Sequence, residues 1–310
     1  MLSIITVSWN VKELVKRMID SIFYFTANID FEIIVVDNDS KDNTVDFLRQ
    51  QFKDQIATGK LKIIANDLNA GFSKANNQGL QIAKGDFVLC MNPDMELLEN
   101  SFEKLTNFMN ARQDVDICTC RLLYADKTIQ PNIKNNPTLF SQILILLKLH
   151  HFLKNLLWLK SYFATSFNSS NEHSVNQLRG AFVFARREAI LKLNGWREDY
   201  WLLWEDVDLC KRAQLAAMKM LFTPITEIVH HEGKSFAQTF GIKKQKRFNR
   251  GMLTYFKKYH SFFAWLTLAA LQPISLFLTF LTQLFKIKPR PQSRNIKVQI
   301  SNDKQNPNDK

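Results

Sequence analysis

LSIITVSWNVKELVKRMIDSIFYFTANIDFEIIVVDNDS, residues 2–40, decides the fold class. Two β-rich apolar runs, Leu2 to Val7 and Phe31 to Val36, bracket a segment from Val11 to Phe25 in which apolar residues recur at helical spacing. Strand, helix, strand in so short a span is the unit of a parallel sheet wrapped by helices. The alternation continues downstream. Asp42 is placed to cap a helix over Asn43 to Phe52, Leu61 to Ala65 is a further apolar run, Phe72 to Ala83 is amphipathic, and Asp86 to Met91 reads as another strand. The pattern is α/β, with a mostly parallel central sheet flanked by helices. If the strand order is the doubly wound 3-2-1-4, ligand binds beyond the carboxyl ends of the first and fourth strands. Those ends are Ser8-Trp9-Asn10 and Asn92-Pro93-Asp94.

Neither common phosphate-cradling loop is present: no Gly-x-Gly-x-x-Gly follows the first strand and no Walker-type Gly-x-x-x-x-Gly-Lys-Ser/Thr occurs. A cation is then the expected phosphate partner. Asn92-Pro93-Asp94-Met95-Glu96 puts carboxylates at the mouth of a buried strand, and hard oxygen ligands suit Mg²⁺ or Mn²⁺, which fill their shells with water and substrate phosphate. The alternative for Asp94 is that it caps a helix beginning near Leu97. In the second half, Arg179 to Phe184 reads as a buried strand, and Trp204-Glu205-Asp206-Val207-Asp208-Leu209 opens a helix running to about Met218. Acids at a helix start complement its dipole, which by itself explains the cluster. The preceding Trp201-Leu202-Leu203-Trp204 also offers an apolar wall that raises one carboxyl's pKa toward the working range of a general base. His230-His231 ends the apolar run Ile225 to Val229, where an imidazole can ligate metal, contact phosphate or simply pack.

The 310 residues hold one large domain with an appendage, and 46% apolar composition with 25 Phe and 6 Trp supports a real core. A net charge of +12 implies an anionic partner: phosphorylated substrate, nucleic acid or acidic lipid. Cys90, Cys118, Cys120 and Cys210 lack zinc-site spacing and are expected to be buried and reduced. The chain runs from Met1 straight into an apolar strand without a basic leader, so export is not expected.

Six ordered motifs together resemble the family 2 glycosyltransferases of GT-A fold, particularly the bacterial rhamnosyltransferase-like branch that builds cell-surface polysaccharide. They are Val7-Ser8-Trp9-Asn10, Val35-Val36-Asp37-Asn38-Asp39-Ser40, Asn69-Ala70-Gly71-Phe72 through Asn76-Asn77-Gln78-Gly79, Asn92-Pro93-Asp94, Gly180-Ala181, and Glu205-Asp206-Val207-Asp208-Leu209. The resemblance spans roughly residues 1–240. It implies a Rossmann-like nucleotide-diphospho-sugar transferase fold in which Ser8, Asp37 and Asn38 hold the nucleotide. It also implies donor contacts from Asn10, Asn69, Gly71, Phe72, Asn76, Asn77, Asn92, Gly180, Ala181 and Glu205. Asn92-Pro93-Asp94 stands where the family has Asp-x-Asp, leaving Asp94 as the charged metal ligand. His230 completes the metal shell, with His231 as the alternative. Asp206 is the implied base in an inverting displacement that expels a nucleoside diphosphate, dTDP-rhamnose being the first donor to consider and UDP- or GDP-hexose the alternative. A polyprenyl-diphosphate-linked sugar or growing polysaccharide is the implied acceptor.

Three other classes fit less well. A glycosidase needs an acid and a base flanking the bond and no nucleotide site. A nucleic-acid binder would explain the charge, but no such module is readable. A scaffold without activity would not need Asp94, Asp206 and His230. The variable stretch 138–174 reads as one or two basic amphipathic helices, either lying on a bilayer or packing over the acceptor cleft. Residues 241–290 read as basic and apolar membrane-associating helices at the cytoplasmic face of the membrane. Gln272 and Pro273 near the middle of Phe262 to Phe285 suggest an in-plane or re-entrant hairpin, or a full crossing. Lys286, Lys288 and Arg290 flank that segment, and a polar, disordered tail is expected over 291–310.

Overall fold

The computed structural model describes residues 1–231 and 241–285. The flanking Lys286, Lys288 and Arg290 and the tail 291–310 lie outside the described residues. The first half runs β1 (Leu2–Ser8), α1 (Lys12–Phe25), β2 (Phe31–Asp37), α2 (Thr44–Gln51), α3 (Lys53–Ala57), β3 (Leu61–Ala65), α4 (Phe72–Ile82) and β4 (Phe87–Met91). β1 pairs in parallel with both β2 and β4, and β2 with β3, so the order is β3-β2-β1-β4. These strands are apolar on both faces because helices cover both. Ile4 and Ile33 pack with Val15 and Met18 of α1, while Ile5 and Ile34 pack with Ala75 and Leu80 of α4. Asp42 ties two helix starts together: its Oδ1 accepts the Thr44 N–H at 3.2 Å and its Oδ2 the Lys12 N–H at 3.1 Å.

The second half adds β5 (Met95–Leu97), α5 (Ser101–Ala111), β6 (Ile117–Leu123), β7 (Ile129–Gln130), β8 (Ile133–Lys134), α6 (Leu139–Leu146), a 3₁₀ turn at Leu149–His151, α7 (Leu157–Tyr162), β9 (His173–Ser174), β10 (Gln177–Leu178), β11 (Phe182–Arg186), α8 (Arg187–Lys192), α9 (Glu205–Leu215) and β12 (Met220–His230). β11 lies antiparallel between β4 and β6, and the sheet ends β6-β12-β5. The helix expected near Leu97 is not there. Residues 95–97 instead pair antiparallel with the end of β12, His230 opposite Met95, and the helix starts at Ser101. Asp94 therefore caps no helix; it is the last residue before an edge strand. All four cysteines are buried and free.

The chain closes with α10 (Gly241–Tyr259), α11 (Phe262–Ala270) and α12 (Gln272–Leu284). No hairpin forms within Phe262 to Phe285. Leu271 N–H donates to Thr267 O at 3.2 Å and Ser275 N–H to Leu271 O at 3.0 Å, so the backbone ladder continues through the break beside Pro273 and α11 and α12 make one kinked rod. The rod runs antiparallel along α10: Gln283 lies against Gly241, Thr279 Oγ1 donates to Gln245 Oε1 at 3.3 Å, and Trp265 shares a groove with Lys257. A buried cluster of Leu146, Tyr200, Trp204, Val207, Met252, Tyr255, Phe256, Ala264 and Leu268 joins these helices to α6 and to the segment that leads into α9. The variable stretch thus packs, through α6, on the C-terminal helices.

Candidate active site

A cleft of about 300 Å³ opens at the carboxyl ends of β1 and β4, where the strand order places the switch point. Asn38, Asn69, Phe72, Asn92, Asp94, Gly180, Ala181, Glu205, Asp206 and His230 all line it. Residues as far apart in sequence as Asn38 and His230 therefore meet on one surface.

Asp94 and His230 are both almost fully buried, and His230 Nε2 lies 3.2 Å from Asp94 Oδ1. The other ring nitrogen, Nδ1, is 2.7 Å from Gln130 Oε1. An amide oxygen only accepts, so Gln130 places the proton on Nδ1 and leaves Nε2 a lone pair in the neutral ring. Asp94 Oδ1 consequently receives no hydrogen bond despite its burial. Two acceptors turned toward one another are what a divalent cation relieves, so the pair fits the expected metal. A carboxylate with an imidazole suits Mn²⁺ better than Mg²⁺, which prefers oxygen alone. Among the described residues no three His, Cys, Asp or Glu side chains converge; those residues offer two such ligands, and water and substrate oxygens can fill a shell around them. His231 is occupied elsewhere, its Nε2 2.8 Å from Glu96 Oε2, and does not line the cleft.

Glu205 and Asp206 open α9 after two consecutive left-handed residues, Leu203 at φ 72° and Trp204 at φ 76°. Two such non-glycine conformations in succession cost of order 1–3 kcal/mol each, and packing has to hold them. Gly251 of α10 supplies part of that packing, passing so close that a Cβ there would meet Leu203 O at 2.8 Å. The strained turn aims the next two carboxyls differently. Glu205 is buried, with Oε2 unpartnered, and burial followed by the Asp206 charge pushes its carboxyl well above the usual carboxylate range. Asp206 is half-buried in the cleft wall, its Oδ2 accepting the Gly180 N–H at 2.9 Å and its Oδ1 the Val207 N–H at 2.8 Å. A carboxyl that burial pushes up, next to a half-exposed, hydrogen-bonded carboxyl, is an arrangement in which the second can take a proton.

Several residues expected to touch a donor have other partners. Both oxygens of Asp37 accept from Ser40, its N–H at 2.9 Å and its hydroxyl at 2.6 Å. Asn10, at φ 53°, receives the Lys41 N–H on its Oδ1 and gives its own N–H to Ser40 Oγ, which ties the ends of β1 and β2 together. Ser8 is fully buried at the end of β1, opposite Asp37. None of these three lines the cleft, and neither do Asn76 and Asn77. Asn76 Nδ2 donates within α4 to Phe72 O at 2.9 Å. Asn77 docks α4 on the loop between α8 and α9, its Oδ1 accepting the Trp196 N–H at 2.8 Å and its Nδ2 donating to Trp196 O at 2.8 Å. Gly71 contributes backbone: at φ 89°, with Trp201 against it, it has no room for a Cβ, and its carbonyl accepts from Asn38 Nδ2 at 3.1 Å.

The cleft also holds residues that the sequence reading did not assign to a site. Trp9, Lys134, Tyr162, Gln177, Arg179 and Arg247 line it, beside the expected wall of Trp201, Leu202, Leu203 and Trp204. Arg247, from α10, stacks its guanidinium 3.9 Å from the Trp201 ring centroid, and Lys134 lies 5.5 Å from that of Tyr162. Neither pairs with a carboxylate among the described residues, so both keep their charge for an anionic ligand. Gln130 was also missed: it is one polar residue in a two-residue strand, a hundred positions from the histidine it orients.

Residues 3–179 match the family model described as Glycosyl transferase family 2. The chain is 25% identical over 227 residues to the O-antigen biosynthesis protein RfbC of Myxococcus xanthus, across 72% of this chain and 16% of that protein. It is 22% identical over 218 residues to the N-acetylglucosaminyl-diphospho-decaprenol L-rhamnosyltransferase of Mycobacterium tuberculosis, across 66% of this chain and 67% of that one. Among solved structures, S. aureus TarS 1-349 in complex with UDP-GlcNAc gives a TM-score of 0.54 at 17% identity over 82% of this chain and 64% of that chain. The mannosyltransferase PcManGT from Pyrobaculum calidifontis, in complex with GDP-Man and Mn²⁺, gives 0.53 at 13% identity over 93% and 88%. These likenesses establish the GT-A fold. Asp206 and His230 lie beyond the stretch that the family model matches.

Proposed function

The chain belongs to glycosyl transferase family 2, and from that membership and the cleft we propose an inverting transfer of a sugar from a nucleoside-diphosphate donor to a lipid-linked or polysaccharide acceptor in cell-surface glycan synthesis. The observation that carries this reading is the meeting of Asn38, Asp94, His230 and Asp206 on one cleft at the switch point. dTDP-rhamnose is the first donor to test, because the mycobacterial relative is a rhamnosyltransferase. The same relative makes a polyprenyl-diphosphate-linked sugar the first acceptor.

In this reading Asn38, Asn69 and Phe72 hold the nucleotide end of the donor. Asp94 and His230 hold the divalent cation, which when bound offsets the charge of the departing diphosphate. Lys134 and Arg247, which also line the cleft, add fixed positive charge. Asp206, oriented by the Gly180 N–H, takes the proton of the acceptor hydroxyl as that oxygen attacks the anomeric carbon. Glu205, held neutral by burial, keeps a second negative charge away from the incoming hydroxyl. Catalysis falls mainly to residues 1–240, with Arg247 added from α10, and membrane attachment to residues 241–290, since polyprenyl acceptors reside in a bilayer.

The test is a thermal-shift screen against dTDP, UDP and GDP with and without Mn²⁺, followed by transfer assays with the matching sugars. A ligand at a hundred times its Kd stabilises the fold by about 2.7 kcal/mol, which is readily seen. Asp206→Asn should keep the metal-dependent shift and lose roughly 10²- to 10⁴-fold in turnover. A response to UDP or GDP alone would replace rhamnose by another hexose. No response to any nucleotide would overturn the donor site, and full turnover by Asp206→Asn would remove the base.

A further inference from the structure

By length and composition the 23-residue stretch Phe262–Leu284 is sufficient to cross a membrane. Its packing argues for a different arrangement. α10 lies antiparallel along the whole of the α11–α12 rod, from the Gly241 contact with Gln283 to the groove shared by Lys257 and Trp265. α10 carries Lys243, Lys244, Lys246, Arg247, Arg250, Lys257 and Lys258 and no acid. A rod that spanned the bilayer would draw this series of cations into hydrocarbon, where charged side chains are strongly disfavoured.

The two sides of the rod differ. Ala264, Leu268, Ser275 and Thr279 are buried toward the protein. At helical spacing on the opposite side, Phe262 (65%), Phe263 (76%), Phe277 (59%) and Leu284 (62%) stand exposed, with Leu266, Ile274 and Phe280 among them. Along one margin of this apolar face runs a groove of about 350 Å³ lined by Lys246, Arg250 and Lys257 from α10 and by Trp265, Gln272 and Leu276 from the rod. An apolar strip bordered by cations and an indole at the same depth is the profile of a helix lying in the headgroup layer.

The geometry points to an anionic bilayer as the occupant of this face: α11 and α12 lie in the membrane plane with the phenylalanine side in the acyl layer, and the Lys246, Arg250 and Lys257 groove takes lipid phosphate. This rests on the membrane attachment in the proposed function and fixes its mode, and vesicle binding reads it without any transfer chemistry.

The full chain would be mixed with vesicles of phosphatidylcholine alone or with phosphatidylglycerol added, and the bound fraction measured by flotation. Each Lys or Arg near an anionic surface is worth about a fivefold gain in partition. Replacing Lys246, Arg250 and Lys257 together by Gln should therefore lower binding to the mixed vesicles about a hundredfold, while leaving metal-dependent nucleotide binding unchanged. Phe263→Glu with Phe277→Glu should abolish binding to both kinds of vesicle. Ser261→Cys and Gln283→Cys, at the two ends of the rod, should both react with an impermeant maleimide from the side that carries the catalytic cleft. Protection of one end would mean a spanning helix and would overturn the proposal. So would equal binding to neutral and anionic vesicles, or a stable dimer that buries the phenylalanine face and binds no vesicles.

Discussion

His230 Nε2 stands 3.2 Å from Asp94 Oδ1 while its Nδ1 stands 2.7 Å from Gln130 Oε1, an acceptor that in the neutral ring leaves the Nε2 lone pair turned toward the carboxylate. Gln130→Leu releases that constraint without touching either ligand. Loss of an outer partner of this kind costs about 10- to 100-fold in metal affinity. Calorimetric titration of Mn²⁺ into protein saturated with nucleoside diphosphate should show that loss for Gln130→Leu and a larger one for His230→Ala. Unchanged affinity in Gln130→Leu would mean that the tautomer plays no part.

Gly180→Ala tests the placement of the proposed base. An added Cβ would lie 3.0 Å from Asp206 Cβ and 3.4 Å from its Oδ2, so the carboxylate must give way. A contact this tight asks a shift of a few tenths of an ångström, and a full 1 Å misplacement at a reacting group is worth about 10² in rate. The expected outcome is a fall in kcat of up to about 10² with nucleotide affinity unchanged, read by steady-state kinetics and thermal shift on the same preparation.

Glu205 makes stability depend on pH. Its folded carboxyl is raised, first by burial and then by Asp206, so above its ordinary value of 4.5 the folded chain binds more protons than the unfolded one. The resulting stabilisation is present below that value and lost as pH rises toward the folded pKa. Glu205→Gln removes this dependence. Melting temperatures of the two proteins from pH 4 upward should show the wild type losing ground to the variant as pH increases, and a wild type that gains ground would mean an ionised Glu205.

Asp208 joins α9 to the C-terminal helices. It is fully buried, and its oxygens accept from Arg212 Nε at 2.6 Å and from the Tyr259 hydroxyl at 2.9 Å. Removing one partner of a buried pair costs about 3–5 kcal/mol, and deleting a hydrogen bond to a charged group about 1.5–3 kcal/mol. Chemical denaturation should rank Asp208→Ala below Tyr259→Phe, with both below the wild type. A smaller loss for Asp208→Ala would mean that Arg212 finds another partner.

The parallel half of the fold was readable because β1 to β4 and α1, α2 and α4 are each written in local periodicity, which needs no partner to be recognised. The antiparallel β11 and the edge strand β5 are defined by what they pair with across the sheet, and Asp94 was therefore open to reading as a helix cap. The acids and His230 that line the cleft were legible from their motifs. Their support was not: Gln130, Arg247 and the left-handed Leu203 and Trp204 are ordinary residue types given meaning by tertiary placement. Asn77 shows the converse. Its side chain suits a donor contact, but the amide is committed to Trp196.

Gly251 sets a rule for recombining this protein with its relatives. It belongs to α10, yet the backbone it wedges, Leu203 and Trp204, aims Glu205 and Asp206. A chimaera that keeps residues 1–231 and takes its terminal helices from a relative would assemble every acid and the metal pair intact. It would still misdirect the proposed base if the incoming helix brought any larger residue to that one crossing, so the heritable unit of the proposed activity extends through α10.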